Sequence, residues 1–265
     1  MARATIAAST LNWVTTISPT RYVELDGVSN FRDLGGYRAR DGRTTKWRTM
    51  FRADGLSQLT TDDIERIRPL ELRTVVDLRT SAEIDERGRF PVDAHPVTFH
   101  HLSIIDQTCD LEEAREQALP PAEFLHRAYT DMLATAADRF AAAITLLADA
   151  EAVPAVFHCA AGKDRTGLLA ALVLGALGVD RDTIVADYAL TENSMDLFLA
   201  RAAADPVKAA EIARVPRSFF SADPLGMDRV LADVERDHAT VRDYVRSIGV
   251  TDPTLDHLDA LLLTN

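Results

Sequence analysis

Residues 153–178 read VPAVFHCAAGKDRTGLLAALVLGALG and hold the strongest structural signal in the chain. The short apolar run at 153–157 is typical of a buried parallel strand. The segment that begins at about Thr166 is apolar almost all round, which predicts a fully buried helix that ends near Gly178. The loop between this strand and this helix therefore lies at the carboxyl edge of a sheet, where parallel strands present functional residues.

The loop HCAAGKDRTG, from His158 to Gly167, combines groups that suit one kind of chemistry. Its backbone N–H groups can converge on one point, and the N-terminus of the following helix directs partial positive charge at the same point. Such a concavity binds a tetrahedral oxyanion, and it stabilises the thiolate of Cys159, which is a strong nucleophile. Arg165 adds a planar fork for two phosphate oxygens. Together these groups predict phosphoryl transfer through a cysteinyl-phosphate.

Strand and helix patterns alternate along the rest of the chain. In addition to 153–157, segments rich in β-formers predict strands at 21–25, 46–52, 73–78 and 97–104. Apolar spacing and capping residues predict helices from Thr60 or Thr61, over about 111–149 with a break near Pro120-Pro121, over 181–200, and at 238–249 and 252–263. The alternation predicts an α/β fold with a mostly parallel central sheet flanked by helices and extended by helical insertions.

Composition excludes several classes of protein. The 265 residues include 29 Lys+Arg and 41 Asp+Glu, a net charge of −12, and this acidity argues against a nucleic-acid partner. The two cysteines, Cys109 and Cys159, are too few for a disulfide framework and indicate a reducing compartment. Residues 1–20 contain no clean apolar stretch of the kind found in signal peptides, and no run of about 18 apolar residues occurs. We therefore expect a cytoplasmic protein without stable membrane insertion, with secretion by a non-classical route as the alternative.

Four segments of the chain resemble one protein family. The pattern C-x5-R followed by Thr-Gly is similar to the signature loop of the cysteine-dependent protein tyrosine phosphatases, and HCAAGKDRTG resembles the atypical bacterial branch of that family. Three more segments resemble motifs of this branch: NFRDLGGY at 30–37, VDLRT at 76–80 and DYALT at 187–191. The resemblance spans residues 30–191 and implies a tyrosine-phosphatase-like fold.

The resemblance also implies a role for each loop residue. Cys159 would be the nucleophile, Arg165 would bind the phosphoryl group and stabilise the transition state, and Thr166 would donate a hydrogen bond to the sulfur. His158 and Gly167 would support the loop. The phosphate-binding residues implied are Ala160, Ala161, Gly162, Lys163, Asp164 and Arg165. No metal or cofactor is implied. The substrate would be a phosphorylated protein or a phosphoinositide.

The general acid, which protonates the leaving oxygen, has two main candidates, with Asp131 a distant third on a solvated helix surface. The W-P-D loop that carries this aspartate in many relatives is absent from the chain. Asp164 lies within the signature loop, and Asp77 ends a predicted strand at the same sheet edge. The alternative role for Asp164 is a loop-bracing ion pair, and for Asp77 it is bonding to Arg79 or to backbone amides.

A segment near 201–224 is predicted to be irregular, because it is punctuated by Pro206, Pro216 and Pro224. The resembled branch carries helical insertions, and we hypothesise that this segment forms a lid over the cleft. We expect one phosphatase domain at 21–265 that includes this insertion, preceded by an N-terminal arm at 1–20.

The motifs of the chain suggest three functions. The leading interpretation is a protein tyrosine phosphatase, extended to dual specificity. The alternative is a phosphoinositide phosphatase, since Lys163 resembles lysines that pair with a second phosphate in such enzymes; Ala160, however, stands where the best-known of them have another lysine. A third interpretation is a catalytically inactive phospho-binding module, against which the presence of both Cys159 and Arg165 argues.

Overall fold

The computed structural model describes residues 21–106, 119–214 and 217–264, with backbone only at residues 207, 208, 211, 217 and 218. The N-terminal arm expected at 1–20 lies outside the described residues. So does Cys109, together with the part of the expected 111–149 helical region that precedes residue 119.

The described strands form one five-stranded sheet in the order β1-β2-β5-β3-β4. They are β1 (Arg32–Asp33), β2 (Met50–Ala53), β3 (Thr74–Asp77), β4 (Thr98–His101) and β5 (Ala155–His158). Only β1 runs antiparallel to its neighbour, and the other pairings are parallel. The predicted α/β fold with a mostly parallel sheet is thereby confirmed.

The central position of β5 decides where its loop emerges. His158, the last residue of β5, pairs with Ala53 at the end of β2 and with Asp77 at the end of β3. The loop that follows thus leaves the sheet between two neighbouring strand ends. One predicted strand, 21–25, is wrong, since Tyr22 makes only an isolated bridge with Arg32. The two-residue β1 is too short to pair with a full strand.

Twelve α-helices are found in the described part of the chain. They are α1 (Thr61–Ile67), α2 (Ser81–Arg87), α3 (Pro121–Thr135), α4 (Ala137–Leu147), α5 (Asp164–Ala176), α6 (Arg181–Ala189), α7 (Glu192–Ala202), α8 (Pro206–Ile212), α9 (Arg217–Phe220), α10 (Pro224–His238), α11 (Val241–Ser247) and α12 (Asp252–Leu262). None of the helices among these residues is long and apolar enough to cross a membrane.

Both faces of the sheet are covered by apolar side chains. Val76 and Phe157 face a large cluster that includes α5, and Val75 and Val156 face a smaller cluster that includes residues of α1. Every residue of α5 after Asp164 is buried. The predicted burial of this helix is therefore confirmed, and its N-terminus is fixed against the centre of the sheet.

The helical predictions need three corrections. The segment after Pro120 is two helices and not one, because α3 ends at Thr135 and α4 begins at Ala137. The segment 181–200 is not one helix, because the chain breaks at Thr191, whose side chain accepts a hydrogen bond from Arg32. The segment 201–224 is less irregular than predicted: it holds the end of α7 and the short helices α8 and α9. Pro206 and Pro224 each stand at the first position of a helix, where the missing N–H has no cost.

Candidate active site

The loop after β5 presents backbone N–H groups without partners. Those of Ala160–Arg165 donate no hydrogen bond to any residue in the described ranges. Gly162 has a φ of +65°, and a Cβ atom there would lie 2.5 Å from the carbonyl oxygen of Ala53. Only glycine fits this close approach to β2. Cys159, which is 2% exposed, begins the loop, and α5 follows it. The arrangement can hold a tetrahedral oxyanion.

Side chains from distant segments hold the loop carbonyls. The oxygen of Gly162 accepts hydrogen bonds from a terminal nitrogen of Arg52, at 2.8 Å, and from Nδ2 of Asn30, at 3.2 Å. The oxygen of Ala160 accepts from the backbone N–H of Gly55 at 3.0 Å. These bonds to the surrounding protein hold the loop in the conformation described here.

A buried carboxylate organises these supporting side chains. Asp187 pairs with Arg32 at 3.0 Å and with Arg52 at 2.6 Å, and it accepts a hydrogen bond from the Tyr37 hydroxyl at 2.8 Å. Burial alone would raise the pKa of Asp187, but the two guanidinium groups hold it well below its usual range. The segments 30–37 and 187–191 therefore meet beneath the loop, which explains why both carry recognisable motifs.

Arg165 is held by a carboxylate that the sequence analysis did not single out. Its two terminal nitrogens donate to the two oxygens of Glu83 at 2.6 and 2.9 Å, and both side chains are nearly buried. Burial alone would lower the pKa of Arg165, but hydrogen bonds to Glu83 and the charge of Cys159 raise it overall. The bidentate pair fixes the plane of the guanidinium.

The sequence signal at Glu83 points to a different role. Thr80 and Glu83 form a capping box: the Thr80 hydroxyl accepts from the Glu83 N–H, and Glu83 Oε2 accepts from the Thr80 N–H. This T-x-x-E pattern predicts the start of α2 but says nothing about Arg165. The same carboxylate thus caps a helix and orients the guanidinium.

His158 precedes Cys159 in the chain, and Thr166 lies in the first turn of α5. The Thr166 hydroxyl is fully buried and has no hydrogen-bond partner among the described residues, which is unusual for a buried polar group. Nδ1 of His158 lies 3.1 Å from the carbonyl oxygen of Cys159. Burial lowers the pKa of His158, which favours a neutral ring that supports the loop.

Asp77 is buried and committed to Arg79. The carboxylate accepts from the Arg79 guanidinium at 2.6 to 3.1 Å and from the Arg79 N–H at 3.0 Å. Burial alone would raise the pKa of Asp77, but its bonds to Arg79 lower it overall. An ionised, sealed carboxylate is poorly suited to donate a proton, so the geometry favours the structural alternative for Asp77.

Asp164 lies in a different environment. It is the first residue of α5, and its side chain is 39% exposed. Oδ1 accepts a hydrogen bond from the Tyr129 hydroxyl at 2.7 Å and lies 3.1 Å from Nζ of Lys163. Of the two predicted acids, Asp164 is the one that is exposed to solvent.

The Lys163 side chain is nearly buried, and its ammonium points towards the C-terminal end of α9 and the residue that follows it. Nζ donates to the carbonyl oxygens of Phe219 at 3.0 Å and Ser221 at 3.2 Å. The Ala222 N–H in turn donates to Glu192 at 2.6 Å. These bonds tie 219–222 to the loop and to α7. The lid predicted near 201–224 stays a prediction, and part of that segment now has a contact with the loop.

Comparison with known proteins identifies the family. Residues 23–264 match the tyrosine phosphatase family, so the chain belongs to this family. It is similar to the triple specificity protein phosphatase PtpB of Mycobacterium tuberculosis, with 30% identity over 281 residues that cover 91% of this chain and 98% of that protein. It is also similar to a tyrosine-protein phosphatase of Nostoc commune, with 25% identity over 226 residues, 80% of this chain and 73% of that protein.

A solved structure, that of TpbA from P. aeruginosa in complex with phosphotyrosine, covers 92% of this chain and 97% of its own, with 16% identity and a TM-score of 0.33. Family membership establishes the chain as a protein tyrosine phosphatase, a hydrolase that acts on phosphorylated substrates.

Proposed function

We propose that Cys159 is the nucleophile of this phosphatase and that the phosphoryl group is bound by the loop amides and Arg165. The observation that carries the proposal is the set of unpartnered N–H groups from Ala160 to Arg165, with Cys159 at one end and α5 at the other. Preorganised donors of this kind stabilise a phosphoryl group in its transition state without reorganisation. The inactive-module interpretation has no use for a cysteine at this position.

The proposed reaction has two steps. In the first, the Cys159 thiolate attacks phosphorus, the bond from phosphorus to the leaving oxygen breaks, and Asp164 gives that oxygen its proton. In the second, Asp164 takes a proton from water, the water oxygen attacks phosphorus, and the sulfur–phosphorus bond breaks. The sulfur leaves as a thiolate, to which the Thr166 hydroxyl donates a hydrogen bond. Asp164 ends protonated, as it began.

The Thr166→Ala variant tests this sequence of steps. We expect the variant to slow the second step more than the first, because only the departing thiolate needs the hydroxyl. Rapid-quench mixing with a generic aryl phosphate should then show a burst of product and accumulation of phosphate bound to Cys159. Thr183→Ala, at a helix cap away from the loop, is the matched control. Equal burst and steady-state rates with no phosphoryl-enzyme in Thr166→Ala would contradict the proposal.

For substrate range, we propose phosphotyrosine first, with phosphoserine and phosphothreonine as further substrates. The similarity to a triple specificity phosphatase supports the wider range. The phosphoinositide alternative has less support, because Lys163 is only 3% exposed and its ammonium already has acceptors in Phe219, Ser221 and Asp164. A second phosphate would have to displace these.

The proposed substrate range can be tested by measuring hydrolysis rates side by side. The three substrates are a phosphotyrosine peptide, a phosphoserine peptide and a phosphoinositide. We expect the phosphotyrosine peptide to be hydrolysed fastest. Lys163→Met should reduce the rates on all three substrates in similar proportion or leave them unchanged. A phosphoinositide rate above the phosphotyrosine rate that falls selectively in Lys163→Met would favour the lipid alternative instead.

A further inference from the structure

A chain of buried hydroxyls reaches the proposed general acid. The Tyr129 hydroxyl, in α3, lies 2.7 Å from Oδ1 of Asp164 and 2.6 Å from the hydroxyl of Tyr188, in α6. Both tyrosines are buried, with 0% and 1% exposure. Three helices, α3, α5 and α6, therefore contribute one group each to a single line of hydrogen bonds.

The direction of these bonds is fixed by the number of protons. Burial raises the pKa of Tyr129 and of Tyr188 well above the usual value, so both hydroxyls stay protonated. Each tyrosine has one O–H group to donate. Since Tyr129 donates to Asp164, its oxygen must accept from Tyr188. The line runs from Tyr188 through Tyr129 to Oδ1.

This direction distinguishes the two oxygens of Asp164. Oδ1 accepts from Tyr129 and also faces the Lys163 ammonium, so a proton placed on Oδ1 would point at two donors. Oδ2 makes no hydrogen bond to the residues that the structure describes, and the side chain is partly exposed. An exchangeable proton on Asp164 consequently resides on Oδ2.

We propose that Tyr129 is a positioning residue, which holds Oδ1 of Asp164 inward so that Oδ2 is the oxygen that exchanges a proton with the substrate. This inference rests on the proposed role of Asp164 as general acid. Tyr188 orients the Tyr129 hydroxyl by donating a hydrogen bond to it. The Tyr188 ring packs closely against Gly167, where a Cβ atom would lie 3.0 Å from the ring. The signature-loop glycine and the DYALT motif thus meet at this tyrosine.

Leaving-group dependence tests the proposal, because a general acid matters for poor leaving groups and little for good ones. In Tyr129→Phe we expect kcat/KM for phenyl phosphate to fall by about 10- to 100-fold, the range expected for a misplaced catalytic group. The value for 2,4-dinitrophenyl phosphate should change little. Phenylalanine keeps the ring packing of α3, and a thermal melt verifies that the variant is folded.

Tyr188→Phe is the matched control, since it removes one buried hydroxyl of the same line but leaves the bond from Tyr129 to Asp164. It should change leaving-group dependence much less than Tyr129→Phe. In an Asp164→Asn background, Tyr129→Phe should add no further dependence. Equal losses on both substrates in Tyr129→Phe, or a further leaving-group effect when Tyr129→Phe is added to Asp164→Asn, would overturn the positioning role.

The two proposals fail in distinguishable ways. If Asp164→Asn leaves the leaving-group dependence of the wild type unchanged, Asp164 is not the acid, and the role of Tyr129 falls with it. If Asp164→Asn increases the dependence but Tyr129→Phe does not, only the positioning role is overturned. Neither result affects Cys159 as nucleophile, which the variants of Cys159 test separately.

Discussion

Cys159→Ser is expected to reduce turnover of a generic aryl phosphate below detection while the protein remains folded. A serine hydroxyl stays protonated where a thiol can ionise, and without an anionic nucleophile no covalent intermediate forms. Cys159 is buried, and serine has nearly the same shape, so packing around the loop is retained. Steady-state kinetics and a thermal melt on the same preparation measure both effects.

The chain offers its own control, because it contains only one other cysteine, Cys109. Cys109→Ser should keep full activity. Turnover of the Cys159→Ser variant at the wild-type rate would remove the basis of the proposed mechanism.

Arg165→Lys is expected to lower kcat/KM by about 10²- to 10³-fold, as the loss of a preorganised transition-state donor does in other enzymes. Lysine keeps the positive charge but has a single ammonium on a flexible stem. It cannot bind both oxygens of Glu83 in the plane that Arg165 occupies and still offer a fork to the phosphoryl group.

Glu83→Gln separates orientation from charge. It removes the charge that holds the guanidinium but leaves Arg165 itself, so we expect a smaller loss than in Arg165→Lys. The matched control is Glu151→Gln, on a side chain that is 89% exposed. Near-wild-type kcat/KM in Arg165→Lys would show that a point charge is sufficient, against the proposal.

Local sequence patterns predicted the parts of the fold that depend on local signals. The strands β3 and β5 are apolar runs, and α5 is apolar on nearly all sides. Segments of this kind are stable only in the protein interior. The break at Thr191 was not predictable in this way. It depends on Arg32, about 160 residues away in the chain, whose side chain bonds to the Thr191 hydroxyl.

The same distinction between local signals and tertiary contacts holds for the residues of the candidate site. Cys159, Arg165 and the glycines of the loop could be predicted as site residues because their spacing is itself the signal. Glu83 and Tyr129 were not found, because each contacts the loop only through the tertiary fold. Glu83 has the pattern of a helix cap, and Tyr129 that of a core residue on α3. The sequence did not decide between Asp77 and Asp164 as the general acid. The burial of Asp77 and its ion pair with Arg79 favour Asp164.

The bonds from Asn30 and Arg52 to the carbonyl oxygen of Gly162 have a consequence for any attempt to transplant the loop. A synthetic peptide of residues 158–167 would contain every loop group proposed to bind phosphate, yet its amides would rotate freely, and we expect it to have no measurable affinity for that anion. A recipient protein would also need the buried cluster of Asp187, Arg32 and Arg52. The smallest segment that could be transplanted therefore reaches from Asn30 to Thr191.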